Sequence, residues 1–205
     1  MSRENDHPLR SKEMIAGIIL AAGSSARMGS PKALLKIGDK TFIRRIVGQL
    51  RAAGVETIIT VLGANAAAIE KELEGLNVAI AVNENPAAGQ LLSLQKGIAA
   101  VTNLRPEGIL LCLVDHPAFS ASTVTALMES FRRDHCRAVI PTYKGRRGHP
   151  VLISSKLFDE IVEAPDGTRM SDIIRRHDAD VREIETADEG VVLDIDTPED
   201  LKRIP

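Results

Sequence analysis

The chain has 205 residues, of which 44% are hydrophobic and 26% charged, the usual mixture of a folded globular protein. This composition excludes intrinsic disorder and a collagen-like structure, and the length favours one domain. The formal net charge is −2 at pH 7 and only 2% of the residues are aromatic. Both values disfavour a basic nucleic-acid binder and a platform that stacks single-stranded bases, so we expect no nucleic-acid partner.

The beginning of the chain is polar and lacks the apolar stretch of a secretory signal. No segment has the roughly 20 consecutive apolar residues that span a bilayer, so we expect no membrane partner and a cytoplasmic location. The two cysteines, Cys112 and Cys136, are too few for a disulfide framework and lack metal-ligand spacing. We expect residues 1–13 to form a polar tail and residues 14–205 to form a single domain.

Short apolar runs alternate with amphipathic segments along most of the chain. The pattern predicts strands over residues 15–21, 56–62, 78–82 and 109–114. It predicts helices over residues 41–53, 65–73, 90–101 and 122–133, the second of them capped by Asn65. This alternation, with fully apolar strands, is typical of an α/β protein whose mostly parallel sheet carries helices on both faces.

The pattern changes after residue 137. Two short predicted strands, residues 138–141 and 150–154, flank a turn-like segment and indicate a small β-hairpin excursion. A last strand is predicted over residues 191–195. Thr197, Pro198 and Asp200 then have the spacing of a capping box that opens a final helix.

Residues 20–32 read LAAGSSARMGSPK, a loop of small residues that follows the first strand and contains two cations. Small side chains let backbone N–H groups approach an anion, which Arg27 and Lys32 would neutralise. A P-loop does not fit, because Met28 stands where its second glycine belongs and Ala33 follows the lysine; the G-x-G-x-x-G pattern is absent too. Taken alone, the loop is equally compatible with a surface turn that carries incidental charges.

The string Leu-Ala-Ala-Gly-x-Ser-x-Arg-Met-Gly-x-x-Lys resembles the signature of nucleotidyltransferases with a MobA-like NTP transferase domain, closest to the molybdenum cofactor cytidylyltransferases. The resemblance extends over residues 15–204. It implies a three-layer Rossmann-like fold in which the loop wraps a triphosphate and Arg27 and Lys32 act on the phosphates. The implied nucleotide-binding residues are Leu20, Ala21, Ala22, Gly23, Ser24, Arg27, Lys32, Gly63, Asn83, Gly89 and Ser93.

Two acidic segments are candidate metal ligands. Asp115 follows the fourth predicted strand, where ligands of open α/β sheets bind. Asp194 and Asp196 would share one face of the last predicted strand, and Mg²⁺ is commonly held by one or two carboxylates plus substrate phosphates. The resemblance implies that Asp115 and Asp196 are the Mg²⁺ ligands and that Asp115 is catalytic. An acidic residue before a helix can also serve only the helix dipole.

Two histidines bear on specificity. The resemblance places His149 near the acceptor substrate, although a lone histidine is more often structural. His116 stands where the cytidylyltransferases usually have glutamine. This departure weakens the assignment to one subfamily and leaves the metal role of Asp115 untouched.

The resemblance implies a Mg²⁺-dependent enzyme that transfers a nucleoside monophosphate to a phosphorylated acceptor and releases pyrophosphate. CTP is the expected donor, because guanylyl-transferring relatives usually have glycine at the position of Ala22. The expected acceptor is of the molybdopterin type, with a molybdoenzyme or its chaperone as a further partner. The alternatives are a guanylyltransferase of the same family, with GTP as donor, and a non-catalytic nucleotide-binding accessory protein for a molybdoenzyme.

Overall fold

A computed structural model describes residues 14–23, 31–63, 66–197 and 200–203. Its strands are β1 (Ile15–Ala21), β2 (Lys36–Ile37), β3 (Lys40–Thr41), β4 (Thr57–Gly63), β5 (Ala79–Asn83), β6 (Gly108–Leu113), β7 (Ala138–Tyr143), β8 (Arg146–Arg147), β9 (Val151–Ser154) and β10 (Val181–Glu185). Its α-helices are α1 (Phe42–Ala52), α2 (Ala67–Leu73), α3 (Gln90–Val101), α4 (Ala121–Asp134), α5 (Phe158–Glu163) and α6 (Met170–Arg176). Within these ranges, no helix combines the length and apolarity needed to cross a bilayer.

The main sheet has the strand order β10-β7-β9-β6-β1-β4-β5, and β8 pairs with β7 at its side. Strands β10 and β7 are parallel to each other, as are β6, β1, β4 and β5. Strand β9 runs antiparallel to both of its neighbours. The predicted α/β fold with a mostly parallel sheet is confirmed, and the predicted hairpin excursion supplies β7, β8 and β9.

Alternate side chains of the central strand β1 enter two separate cores. Ile18 and Leu20 pack with residues of α3, α5 and α6 on one face of the sheet. Ile15 and Ile19 pack with residues of α1, α2 and α4 on the other face. Because successive side chains of a strand point to opposite faces, an entirely apolar strand is suited to the middle of three layers. Both cysteines are free and buried.

The predicted last strand over residues 191–195 is wrong. A 3-10 helix, Glu189–Val192, covers its beginning, and residues 193–195 have no regular secondary structure. The Asp188 carboxylate accepts a hydrogen bond from the Gly190 N–H at 3.0 Å. A Cβ on Gly190 would lie 2.2 Å from the Ala118 carbonyl oxygen, so the backbones touch at this point. The Ile195 N–H then donates to the Asp115 carbonyl at 2.9 Å. The segment therefore crosses the end of the sheet instead of joining it.

Strand β10 takes the edge position, and the sequence did not indicate it. It pairs parallel with β7, but only its first residue, Val181, is buried. An edge strand with three charged residues in five gives a weak hydrophobic signal, since only part of its surface packs on the core. The final helix is the short 3-10 helix Asp200–Arg203.

One half of the predicted capping box is present in the described residues, the contact from Thr197 to the Asp200 carboxylate, while the Asp200 N–H donates to the backbone carbonyl of Thr197 at 3.1 Å. Both the N–H and the hydroxyl of Thr197 donate to Asp200 Oδ2, at 2.9 and 2.8 Å. The predicted roles of Pro198 in this cap and of Asn65 in capping α2 fall outside the described residues, as does the predicted tail over residues 1–13.

Gly97, on α3, packs directly against side chains of the sheet. A Cβ there would lie 2.5 Å from Ile18 Cγ2, a fully buried side chain. We expect Gly97→Ala to lower the free energy of unfolding by about 1–3 kcal/mol, the usual cost of overpacking a core. The midpoint of urea denaturation would measure this loss.

The matched control is Gly48→Ala on α1, where an added Cβ meets nothing within 4 Å. This change should leave stability unchanged or raise it by up to about 1 kcal/mol, since alanine is the better helix former. Equal denaturation midpoints for Gly97→Ala and the wild type would contradict close packing of Gly97 against Ile18.

Candidate active site

The loop after β1 and the acid after β6 meet at one edge of the sheet. These strands are adjacent and parallel, with Leu20 opposite Leu113, so the residues that follow them emerge side by side. Because β9 runs antiparallel, the segment that leads into it, with His149, lies at this same edge. The predicted crevice at the carboxyl ends of the strands is therefore present.

A cavity of about 420 Å³ occupies this edge. Its size is within the range usual for small-molecule sites. The predicted site residues that line it are Leu20, Ala21, Ala22, Gly23, Lys32, Gly89, Ser93, Asp115 and Asp196. The predicted residues Ser24 and Arg27 fall outside the described residues.

Two predicted nucleotide-binding residues, Asn83 and Gly63, do not line the cavity but contact residues that do. The buried Asn83 side chain donates to Ser93 Oγ at 2.9 Å and accepts from the Asn85 N–H at 3.0 Å. Gly63 packs under the first loop, where an added Cβ would lie 3.3 Å from the Ala22 carbonyl oxygen. Their positions suit them to hold the loops in shape, and their predicted contact with a nucleotide stays a prediction.

Lys32 connects two of the predicted acids. Its side chain is 13% exposed, and Nζ lies 3.3 Å from Asp115 Oδ2 and in hydrogen-bond contact with Asp196 Oδ1. Burial acts to lower the pKa of Lys32, but the hydrogen bond to Asp196 and the charge of Asp115 outweigh it and raise the pKa. The ammonium group is therefore charged at neutral pH and faces the cavity.

A second group of donors contains the same Asp115. One ligand atom each from Asp115, His116 and Asp194 lie within 4.8 Å of one another. Burial, together with the negative charge of Asp115, raises the pKa of Asp194. Carboxylate oxygens and an imidazole nitrogen are suitable ligands for a divalent cation, and closely grouped carboxylates repel one another until a cation joins them. The residues present therefore fit a divalent metal ion.

This grouping differs from the predicted pair of metal ligands. The hydrogen bond from the Ile195 N–H to the Asp115 carbonyl anchors the crossing segment, so that Asp194 and Asp196 both lie near Asp115. Asp194 joins the three-donor group, whereas Asp196 shares the Lys32 ammonium with Asp115. The sequence placed Asp194 and Asp196 on one face of a predicted strand, and the resemblance assigned the metal to Asp196. His116 was not predicted as a donor.

A second cavity, of about 630 Å³, adjoins the first and shares Leu20, Gly89 and Gln90 with it. The predicted acceptor residue His149 lines this cavity. Burial lowers the pKa of His149 to about 4, with a further contribution from His116, so the imidazole is neutral at pH 7. The two imidazole rings lie 4.9 Å apart.

The wall of the second cavity is mostly aliphatic, with two arginines among its lining residues. The aliphatic side chains belong to Leu20, Leu91, Leu94, Leu111, Ile140, Val151 and Ile174. Arg147 is already paired with Asp178 and Glu183. The Arg169 guanidinium has no ion pair within the described part of the chain, so it is the arginine best placed to receive an anion.

Comparison with known proteins identifies the family. Residues 17–181 match the model of the MobA-like NTP transferase domain. The chain belongs to this family. The resemblance inferred from the first loop is thereby confirmed, and with it the enzyme class, a nucleotidyltransferase.

Individual relatives cover nearly the whole chain. Nicotine blue oxidoreductase of Paenarthrobacter nicotinovorans is 30% identical over 93% of this chain and 96% of its own. Molybdenum cofactor cytidylyltransferase of Escherichia coli K12 is 28% identical over 89% of this chain and 91% of its own. The crystal structure of Rv0371c from Mycobacterium tuberculosis H37Rv is 30% identical, with a TM-score of 0.78 over 93% of this chain and 97% of its own. A second structure of Rv0371c is a manganese complex, 29% identical, with a TM-score of 0.74 over the same shares of the two chains.

Proposed function

We propose that this protein transfers a nucleoside monophosphate from a nucleoside triphosphate to a phosphorylated acceptor and releases pyrophosphate. The observation that carries the proposal is the first cavity, where small residues after β1 face Lys32 and the carboxylate of Asp115. Small residues admit a bulky polyphosphate, the ammonium group neutralises part of its charge, and the carboxylates suit the divalent cation that accompanies it.

In the proposed reaction, an oxygen of the acceptor phosphate attacks the α-phosphorus, and the bond to the β-phosphate breaks with its electron pair leaving on pyrophosphate. A phosphate monoester is largely ionised near neutral pH, so the attack requires no general base. Lys32 would offset charge that develops on the phosphates, and Asp115 and Asp194 would hold the divalent cation. When bound, the cation supplies Lewis-acid stabilisation of the phosphate oxygens. The rest of the catalysis is positioning.

The donor proposed is CTP. The Escherichia coli relative is named a molybdenum cofactor cytidylyltransferase. The resemblance drawn from the sequence also favours CTP, because it implies glycine at the position of Ala22 in guanylyl-transferring members. GTP remains the alternative, since a probable molybdenum cofactor guanylyltransferase from Opitutus terrae is also a relative, 32% identical over 58% of this chain.

The second cavity is the proposed acceptor site. It adjoins the donor cavity, so an acceptor there would have its phosphate close to the reacting phosphorus. Its aliphatic wall suits an uncharged ring system, while Arg169 suits an anionic group. These properties fit an acceptor of the molybdopterin type.

The relative named an oxidoreductase defines a competing activity. Nucleotidyl transfer gives a role to the Lys32 ammonium, which would neutralise phosphate charge, and to Asp115, which would hold a cation, and Asp196 would position that ammonium group. Hydride or electron transfer calls for neither function. The cluster around Lys32 therefore favours nucleotidyl transfer for this chain.

The test is pyrophosphate release by the purified chain with each of the four nucleoside triphosphates, with Mg²⁺ or Mn²⁺, and with or without molybdenum cofactor. We expect release with CTP that depends on the acceptor and on the metal. Release with GTP and not with CTP would identify the protein as a guanylyltransferase. Nucleotide binding without release under any of these conditions would contradict the proposal and support the non-catalytic accessory protein.

Arg169→Gln tests the acceptor site. The change removes the cation but keeps hydrogen-bonding capacity, so we expect KM for the acceptor to rise about tenfold, which corresponds to one lost charge-assisted hydrogen bond of about 1.4 kcal/mol. KM for CTP should not change. Arg175→Gln is the matched control, because Arg175 is exposed on α6 and pairs with Asp172. An unchanged acceptor KM in Arg169→Gln would remove Arg169 from the site.

A further inference from the structure

The three donors at the edge of β6 differ chemically from a pair of carboxylates. We propose that Asp115, His116 and Asp194 bind one divalent cation together, and that the imidazole makes this site prefer a transition-metal ion such as Mn²⁺ to Mg²⁺. The inference deepens the proposed function, because it concerns the metal at the same site. Its outcome can nevertheless be separated from that of nucleotidyl transfer.

The spacing of the donors suits a single ion. The three ligand atoms lie within 4.8 Å of one another. An octahedral ion with bonds of about 2.1 Å holds adjacent ligands about 3 Å apart and opposite ligands about 4.2 Å apart. Small side-chain rotations therefore bring the three atoms onto one ion, while substrate phosphates or water can complete its coordination.

The His116 imidazole is available to a ligand. Its Nδ1 atom is buried and has no hydrogen-bond partner among the described residues. Buried polar atoms are nearly always satisfied, so an unpartnered ring nitrogen in a residue beside two carboxylates favours a ligand that the protein itself does not supply. Nδ1 of the neighbouring His149 is also buried without a partner among the described residues, and the proximity to Asp115 and Asp194 is what distinguishes His116. The backbone beside it is held in place, because the His116 N–H donates to the Leu113 carbonyl at 3.1 Å and the Asp115 carbonyl accepts from Ile195.

The identity of the donors decides which ion is favoured. Mg²⁺ prefers oxygen ligands and gives up its water reluctantly, whereas imidazole suits first-row transition ions. A glutamine at position 116 would offer only an amide oxygen. The His116 side chain therefore gives this chain a basis for metal selectivity that two carboxylates alone lack.

The test uses the full chain with Mn²⁺ alone and electron paramagnetic resonance. Titration against the signal of free aqueous Mn²⁺ gives the affinity, and electron spin echo envelope modulation detects nitrogen bound to the ion. We expect ¹⁴N modulation in the wild type, and a change to ¹⁵N coupling when the chain is produced with ¹⁵N-histidine. This labelling experiment needs no mutation. Mn²⁺ that fails to bind, or that binds without nitrogen coupling, would overturn the inference.

His116→Gln identifies the histidine. In this variant we expect the nitrogen modulation to disappear. Loss of a residue that only supports a metal ligand typically lowers metal affinity about 10- to 100-fold, so loss of a ligand itself should lower the Mn²⁺ affinity at least as much. The Mg²⁺ affinity should fall less. The matched control is His149→Gln, which changes the neighbouring imidazole outside the three-donor group and should retain the modulation. Loss of the modulation in His149→Gln and its retention in His116→Gln would overturn the assignment.

The two proposals fail in different ways. Pyrophosphate release by a wild type without nitrogen coupling would overturn the imidazole ligand and leave nucleotidyl transfer intact. Nitrogen coupling in a chain that releases no pyrophosphate would support the imidazole ligand and overturn nucleotidyl transfer.

Discussion

Asp115→Asn should reduce turnover at least about 10³-fold while the protein remains folded. The residue takes part in both charged groups of the site, since it contacts Lys32 and contributes to the three-donor group. Its carboxylate would hold the divalent cation and the Lys32 ammonium beside the reacting phosphates, and loss of one preorganised electrostatic group typically costs about 10²–10³-fold. Weaker cation binding adds to that loss. Pyrophosphate release at saturating CTP and acceptor is the measurement.

The fold should tolerate this change. Asparagine has the same shape, and the hydrogen bond from the Ile195 N–H uses the backbone carbonyl of Asp115. Lys32 keeps its contact with Asp196. We expect the free energy of unfolding to change by about 1 kcal/mol or less, the usual scale for a partly exposed ion pair.

Asp159→Asn is the matched control, because Asp159 is exposed on α5. Its turnover should equal that of the wild type. Turnover near the wild-type value in Asp115→Asn would exclude Asp115 from the mechanism. Loss of the cooperative melting transition in this variant would show that the Asp115 carboxylate is required for folding and would contradict the expected tolerance of the fold.

The buried part of the fold was predictable because its signals are local. Strand β1 is apolar throughout, and α1 begins where Thr41 caps it, with the Thr41 hydroxyl accepting from the Arg44 N–H at 3.4 Å. These features follow from hydrophobic periodicity and from capping chemistry, both of which can be read along the chain. Strand β10 lacked a hydrophobic signal, because it lies at the edge of the sheet and most of its residues are charged and exposed.

The candidate site was predictable only in part. Parallel pairing of β1 and β6 places Lys32 near Asp115, as the first loop and the strand-end acid had indicated. The choice between Asp194 and Asp196 depends instead on a long-range contact, the hydrogen bond from Ile195 to Asp115, between residues far apart in sequence. Strand alternation could not supply it, because the segment is not a strand.

Lys32→Gln should lower kcat/KM for the nucleoside triphosphate about 10²–10³-fold, through loss of a positive charge beside the phosphates. In the wild type this ammonium group lies between Asp115 and Asp196, and these contacts raise its pKa against the effect of burial. With a neutral amide at this position, less positive charge would offset the repulsion between the carboxylates of the site and the triphosphate. Steady-state kinetics with varied CTP would measure the change.

Two further variants show whether charge or geometry is responsible. Lys36→Gln removes an exposed lysine from the nearby strand β2 and should behave as the wild type. Lys32→Arg keeps the charge but replaces a compact ammonium with a planar guanidinium, so it should recover only part of the activity. Equal kcat/KM in Lys32→Gln and Lys36→Gln would show that the bridge between the two carboxylates is a structural contact and that the phosphates are neutralised elsewhere.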